Sequence, residues 1–187
     1  TARVVTAVLR TLHEEKLRSH GEQPGVRRFI YFDRAFHGRT VFALNVTQTL
    51  HDPIITKGFR GFVPGNIRVP FPSIDTSQPD QRNEDRSARS LEIIEDCLRQ
   101  YGQEIVGIIV EPIQGAGGHR VAHPAFFRSL SALAHRYDVY LGFDEIQTAG
   151  GQTGTVFLTD QFDLPHPPQA VATAKKFANG AVYMLNT

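Results

Sequence analysis

The run Ile105-Val106-Gly107-Ile108-Ile109-Val110, closed by Glu111, decides the fold. Six consecutive apolar residues, the length of a strand, mark a strand buried on both faces, as in a parallel sheet covered by helices. The pattern continues downstream. Pro124 opens a helical stripe of Phe127, Leu130, Leu133, Ala134 and Tyr137, with proline at a favoured first-turn position. Val139–Phe143 reads as a second strand ending at Asp144, and Ala170–Ala174 as a third ending at Lys175 and Lys176. Strand, helix and strand in alternation imply parallel βαβ units. Upstream, Leu91, Ile94, Cys97 and Leu98 form a helical stripe that stops at Tyr101 and Gly102, and Phe29–Phe32 is a short strand. Ala2–Arg18 is an amphipathic helix. Between Asp52 and Ala88, Pro53, Pro64, Pro70, Pro72 and Pro79 predict a long irregular connection, with regular structure resuming at Ser90. The expected fold class is α/β, a mostly parallel sheet with covering helices.

A length of 187 residues is one domain's worth, and 41% hydrophobic with 21% charged residues is an ordinary globular balance. A net charge of +1 gives no reason to expect a nucleic acid or an anionic membrane as partner. No apolar run has the length of a membrane-spanning helix. Cys97 is the single cysteine, so no internal disulfide can form; this fits a reducing compartment, and a cytoplasmic location is expected. On the apolar stripe of its helix, Cys97 reads as core rather than nucleophile. His119 and His123 are four apart but run into Pro124 without a His-Glu-x-x-His pattern, so no metal site is expected. A P-loop is absent, and so is a Gly-x-Gly-x-x-Gly turn between strand and helix, which weighs against nucleotide-driven and nicotinamide chemistry.

In open parallel sheets, ligands sit outside the carboxyl ends of the strands. Glu111, Asp144 and the Lys175-Lys176 pair all fall there. Any one alone is most simply a solvated charge; two carboxylates and an amine pair together point to a site. The motifs then resemble those of class III pyridoxal-phosphate (PLP) aminotransferases. They are Phe36-His37-Gly38-Arg39, Glu111-Pro112-Ile113-Gln114-Gly115 with Gly117-Gly118, Asp144-Glu145-Ile146-Gln147-Thr148 with Gly151, Thr153 and Gly154, and Lys175-Lys176. Their order and spacing are similar to the family's from about Tyr31 to Gly180, and most like those of lysine 6-aminotransferases, followed by 4-aminobutyrate aminotransferases.

The resemblance implies the large domain of a fold-type I enzyme and PLP as cofactor. Lys176 would form the Schiff base, because it lies four residues before Gly180 as the family's lysine does; Lys175 is the alternative. On extended chain the two lysines point opposite ways, so only one can face the cofactor. The amine would also move a proton between substrate carbon and cofactor. Asp144 would pair with the protonated ring nitrogen, Gln147 would bond the phenolic oxygen and Phe36 would stack on the ring; a core phenylalanine and a loop-stabilising amide are the simpler readings of the last two. Arg39 is a candidate for the substrate carboxylate, beside the reading of a surface ion pair. Glu111 would stand behind these groups. Thr1 and Ala2 would end the loop that holds the PLP phosphate at the first helix's N-terminus.

The implied reaction passes an amino group, from an ω-amino donor with lysine as a candidate, to a 2-oxo acid. The implied assembly is a homodimer. Two alternatives stay open: another PLP reaction on the same fold, such as epimerisation or decarboxylation, and a non-catalytic folding or dimerisation module. Ala116 stands where many relatives carry a gating glutamate, which leaves the lysine donor and the 2-oxoglutarate acceptor open. Ala149 stands where glycine is usual, and a methyl group there would strain a turn of positive φ. The chain opens at Thr1 rather than Met. The expectation is therefore a part of the large domain, without the N-terminal segment and the small C-terminal domain, and with little turnover alone.

Overall fold

The computed structural model describes residues 2–23, 25–48 and 65–184. Six strands form one sheet: β1 (Arg28–Phe32), β2 (Ile67–Val69), β3 (Ile105–Val110), β6 (Tyr140–Asp144), β7 (Ala170–Thr173) and β8 (Ala181–Met184). Their order is β2-β1-β3-β6-β7-β8, and all neighbours are parallel except the antiparallel pair β7–β8. A two-stranded ribbon of β4 (Ile113–Gln114) and β5 (Arg120–Val121) hangs beyond β3. After β2 the chain returns past β1 to form β3, so the order of the strands reverses between β1 and β3. Ligands favour such a switch point.

Helices cover both faces. On one side lie α1 (Ala2–Ser19), whose Val5 and Leu9 pack with Phe29, Val106, Ile109, Ala170 and Ala172, and the short α2 (Val41–Leu44). On the other lie α3 (Asp80–Tyr101) and α4 (Pro124–Arg136). Their Ile94, Leu98, Phe126, Phe127 and Leu130 meet Ile30, Phe32, Ile108, Val110, Leu141 and Phe143 of the sheet. All six residues of β3 are buried, as a central strand covered twice requires. Its faces do not alternate strictly. Arg28 pairs with Ile105 but Phe29 pairs with Gly107, so Val106 is an extra residue at a bulge. The bulge turns Val106 toward α1 and puts Ile105 and Ile108 on the opposite face.

The irregular stretch is shorter than the sequence suggests. Ile67–Val69 is an edge strand, and α3 begins at Asp80, ten residues before Ser90. Pro79 is the N-cap of α3, where a missing N–H breaks no helical bond. The first ten residues of α3 are polar or alanine and mostly exposed, so they carry no apolar stripe to reveal the helix. Residues 52–64 of the expected connection lie outside the described residues. Ala149 is likewise no obstacle. Its φ is not positive, and its N–H donates to the Glu145 carbonyl at 2.9 Å.

Two glycines let the layers close on each other. A Cβ at Gly107 would stand 2.5 Å from the Tyr140 carbonyl oxygen, in the backbone of the neighbouring strand. One at Gly142 would press on side chains, Val5 Cγ1 at 3.1 Å and Leu9 Cδ1 at 3.4 Å, with the Ile108 carbonyl oxygen at an ordinary 3.9 Å. Side chains can give where a strand backbone cannot. Gly107→Ala is therefore expected to cost about 1–3 kcal/mol through overpacking, and Gly142→Ala less, both read from urea denaturation midpoints.

Candidate active site

The end of β6 carries the central group. Gly142 faces α1, so Asp144, two residues on, lies on the same face of the sheet. Its carboxylate is buried and accepts two hydrogen bonds, from His37 Nδ1 at 2.9 Å and from the Ile146 amide at 3.2 Å. His37 is buried as well, and its Nε2 has no partner among the described residues. Burial alone would lower the His37 pKa. The hydrogen bond to Asp144 and the negative charges of Asp144 and Glu111 outweigh it and hold His37 above the ordinary histidine range. The His37 imidazole thus backs the Asp144 carboxyl from a buried position.

Glu111, at the end of β3, is the second buried carboxyl. Its Oε2 accepts the Phe36 amide at 2.9 Å. Consecutive residues of the loop after β1 therefore hold two carboxyls on adjacent strands, Phe36 by its backbone and His37 by its ring. Burial, joined by the Asp144 charge, pushes the Glu111 carboxyl up to about 7, against the opposing pulls of His37, the Phe36 amide and Lys175.

The neighbouring Glu145 is a structural clip that the sequence did not reveal. It is fully buried and accepts from Thr148 Oγ1, Thr159 Oγ1 and the amides of Leu158 and Thr159, at 2.6–2.9 Å. These bonds shape the glycine-rich loop between β6 and β7. Gln147 lies on that loop with its amide laid over Gly115, where a Cβ would fall 1.5 Å from Gln147 Oε1.

The lysines follow β7 in a single 3₁₀ turn, Lys175–Phe177, rather than on extended chain. Lys175 takes a positive φ of 32°. They still diverge, because successive residues of such a turn are a third of a revolution apart. Lys176 packs its Cβ against Gly150, where an added Cβ would stand 2.6 Å away. Lys175 is the lysine whose charge Glu111 feels. Both are exposed, as are Gln147 and Arg39, while Phe36 is half-buried. Thr1 lies outside the described residues; Ala2 is the first residue of α1.

Of the sequence candidates, the structure joins Phe36, Glu111 and Asp144 in one network and sets Lys176 and Gln147 on the loops around it. It leaves Arg39 on the surface. His37 is the member that sequence reading missed, although it adjoins Phe36 in the quoted motif. His123 caps α4 by accepting the Ala125 amide at 3.3 Å, a structural task.

A family model for class III aminotransferases matches residues 4–187. The chain belongs to the class III aminotransferase family. Among curated relatives, 4-aminobutyrate aminotransferase of Schizosaccharomyces pombe is 32% identical over 152 residues, 81% of this chain and 32% of that protein. L-lysine-epsilon aminotransferase of Mycobacterium tuberculosis is 33% identical over 159 residues, 84% of this chain and 34% of that protein. The solved lysine aminotransferase from M. tuberculosis superposes with a TM-score of 0.87 at 29% identity, covering 98% of this chain and 42% of that one. This class III chain thus spans about a third of the length of the curated relatives it matches.

Class III aminotransferases use PLP, and the groups assembled here fit it. A buried, oriented carboxylate suits a pyridinium nitrogen, a primary amine an aldehyde carbon, an amide a phenolic oxygen and an aromatic ring the cofactor face.

The raised Glu111 pKa has a sign that can be tested. The folded chain holds this proton up to about pH 7, while the unfolded chain releases it near the ordinary 4.5. Stability from this group is therefore lost as pH rises between those values. Glu111→Gln, which cannot ionise, should gain about 2–3 kcal/mol on the wild type between pH 5 and pH 8. Urea denaturation at the two pH values measures it, and an unchanged difference would contradict the buried protonated acid.

Proposed function

We propose that the protein transfers an amino group from an ω-amino donor of the lysine or 4-aminobutyrate kind to a 2-oxo acid, with PLP as cofactor. One arrangement carries the reading: a buried Asp144, backed by His37, at the strand ends that also present Lys175 and Lys176, in a class III chain. When bound, PLP supplies an aldehyde that carries the amino group and a ring that accepts electrons.

The chain's own residues do the rest. Lys176 is assigned the cofactor's anchor; its amine, once free, would carry a proton from the donor's reacting carbon to the cofactor. Asp144 would hold the proton of the ring nitrogen, because a carboxylate favours a neighbouring cation. Phe36 would cover the ring, and Gln147 would donate to the phenolic oxygen. Arg39, exposed two residues beyond His37, is assigned the substrate carboxylate, which a guanidinium binds through two parallel hydrogen bonds. The N-terminus of α1, with Thr1 and Ala2, is assigned the phosphate, since free amides at a helix start attract anions. Ala116 brings no charge to the entrance, so an acceptor need not displace an ion pair there. A homodimer is the proposed assembly.

In the whole protein, Lys176→Ala is expected to lose the visible absorbance band of lysine-bound PLP and to reduce amino transfer by about a thousandfold or more. If Lys175→Ala loses the band and Lys176→Ala keeps it, the two lysines exchange roles. Product analysis with lysine or 4-aminobutyrate and a 2-oxo acid should show a new amino acid. Release of carbon dioxide or inversion of the donor, without a new amino acid, would overturn amino transfer.

A further inference from the structure

Three charged partners act on Glu111 among the described residues: His37 in the loop after β1, Asp144 at the end of β6 and Lys175 beyond β7. Two carboxyls on adjacent strands share this buried space with one imidazole. Keeping both ionised there is costly, since like charges and desolvation act in the same direction. Hydrogen bonds serve the two unequally. Among the described residues, Asp144 has two donors, His37 Nδ1 and the Ile146 amide, and Glu111 has the Phe36 amide. Glu111 is the one that burial holds above the usual carboxylate range.

We propose that Glu111 is a positioning residue of the cofactor site: its carboxyl accepts the Phe36 amide and so sets the Phe36 ring and the His37–Asp144 pair together. This rests on the reading of the site as a PLP site. Asp144 is the carboxylate assigned to the ring nitrogen. Phe36 and His37 are neighbours in sequence, so a shift of the Phe36 amide moves both the stacking ring and the imidazole that orients Asp144. When Glu111 ionises it adds a negative charge behind the pair, which strengthens the hold of the cluster on the His37 proton.

The test uses the whole protein, with PLP as the probe, and two variants. Glu111→Gln keeps an oxygen that can accept from Phe36 and stays uncharged; Glu111→Ala removes the acceptor. In the cofactor-free protein, the His37 ring signals followed by NMR should step near pH 7 as Glu111 ionises, and Glu111→Gln should remove that step. With PLP added, Glu111→Gln should keep the cofactor's dissociation constant within about threefold of the wild type, and Glu111→Ala should weaken it about tenfold or more, as a lost buried hydrogen bond does. The step persisting in Glu111→Gln would overturn the assignment, because another group would then be titrating. Glu111→Gln losing PLP as fully as Glu111→Ala would overturn it too, because a charge would then be required. A wild type that binds no PLP would instead overturn the functional reading beneath it. The His37 step needs no cofactor, so the two failures are told apart.

Discussion

The hydrogen bond between His37 and Asp144 ties the loop after β1 to the end of β6, across the intervening strand β3. The rest of the site depends on that tie. A carboxylate at the end of a doubly covered strand cannot be left without partners, since desolvating an unpaired charge costs several kcal/mol. His37 answers that demand, and it also brings Phe36 over the same strand ends. The Phe36 amide then meets Glu111, so that three adjacent strands are joined by two consecutive residues. The same economy governs Glu145, whose four accepted bonds turn a buried charge into the fastener of the glycine-rich loop. In each case burial makes a polar group expensive, and its partners make it directional.

Close packing supplies the rigidity. Gly107 and Gly142 bring β6 against β3 and α1 against β6, and Asp144 lies two residues beyond the second contact. Gly150 and Gly115 do the same for the loops, giving room to Lys176 and Gln147. These glycines lie along the path from the core to the strand ends. They locate the polar groups by letting backbone or side chain approach where a methyl group would stand. The reversal of strand order between β1 and β3 places these groups where open parallel sheets hold their ligands.

Much of this was legible in the residues. The uninterrupted apolar run of β3 announced a strand covered twice, because only such a strand can dispense with alternation. The polar residues that end β3, β6 and β7 marked one edge of the sheet. Other features were silent for physical reasons. The first ten residues of α3 form a helix with no apolar stripe, because that part of it faces outward. The bulge at Val106 leaves no mark in a run whose residues are all apolar. His37 sits in a loop without periodicity, so nothing in its spacing tells that its ring turns inward to a residue 107 positions away.

By itself, then, the sequence determined the class of fold, the order of its parallel units, the edge of the sheet where chemistry is held and the types of groups held there. Hydrophobic periodicity is a local property, and strand ends are local too. The tertiary structure alone decided which of those groups meet: that His37 backs Asp144, that Phe36 is pinned by Glu111, that Glu145 fastens a loop instead of joining the site, and that the two lysines leave β7 in a tight turn facing different neighbours. Those outcomes depend on desolvation and on contacts between segments far apart in the chain, and both exist only once the sheet is closed between its helices.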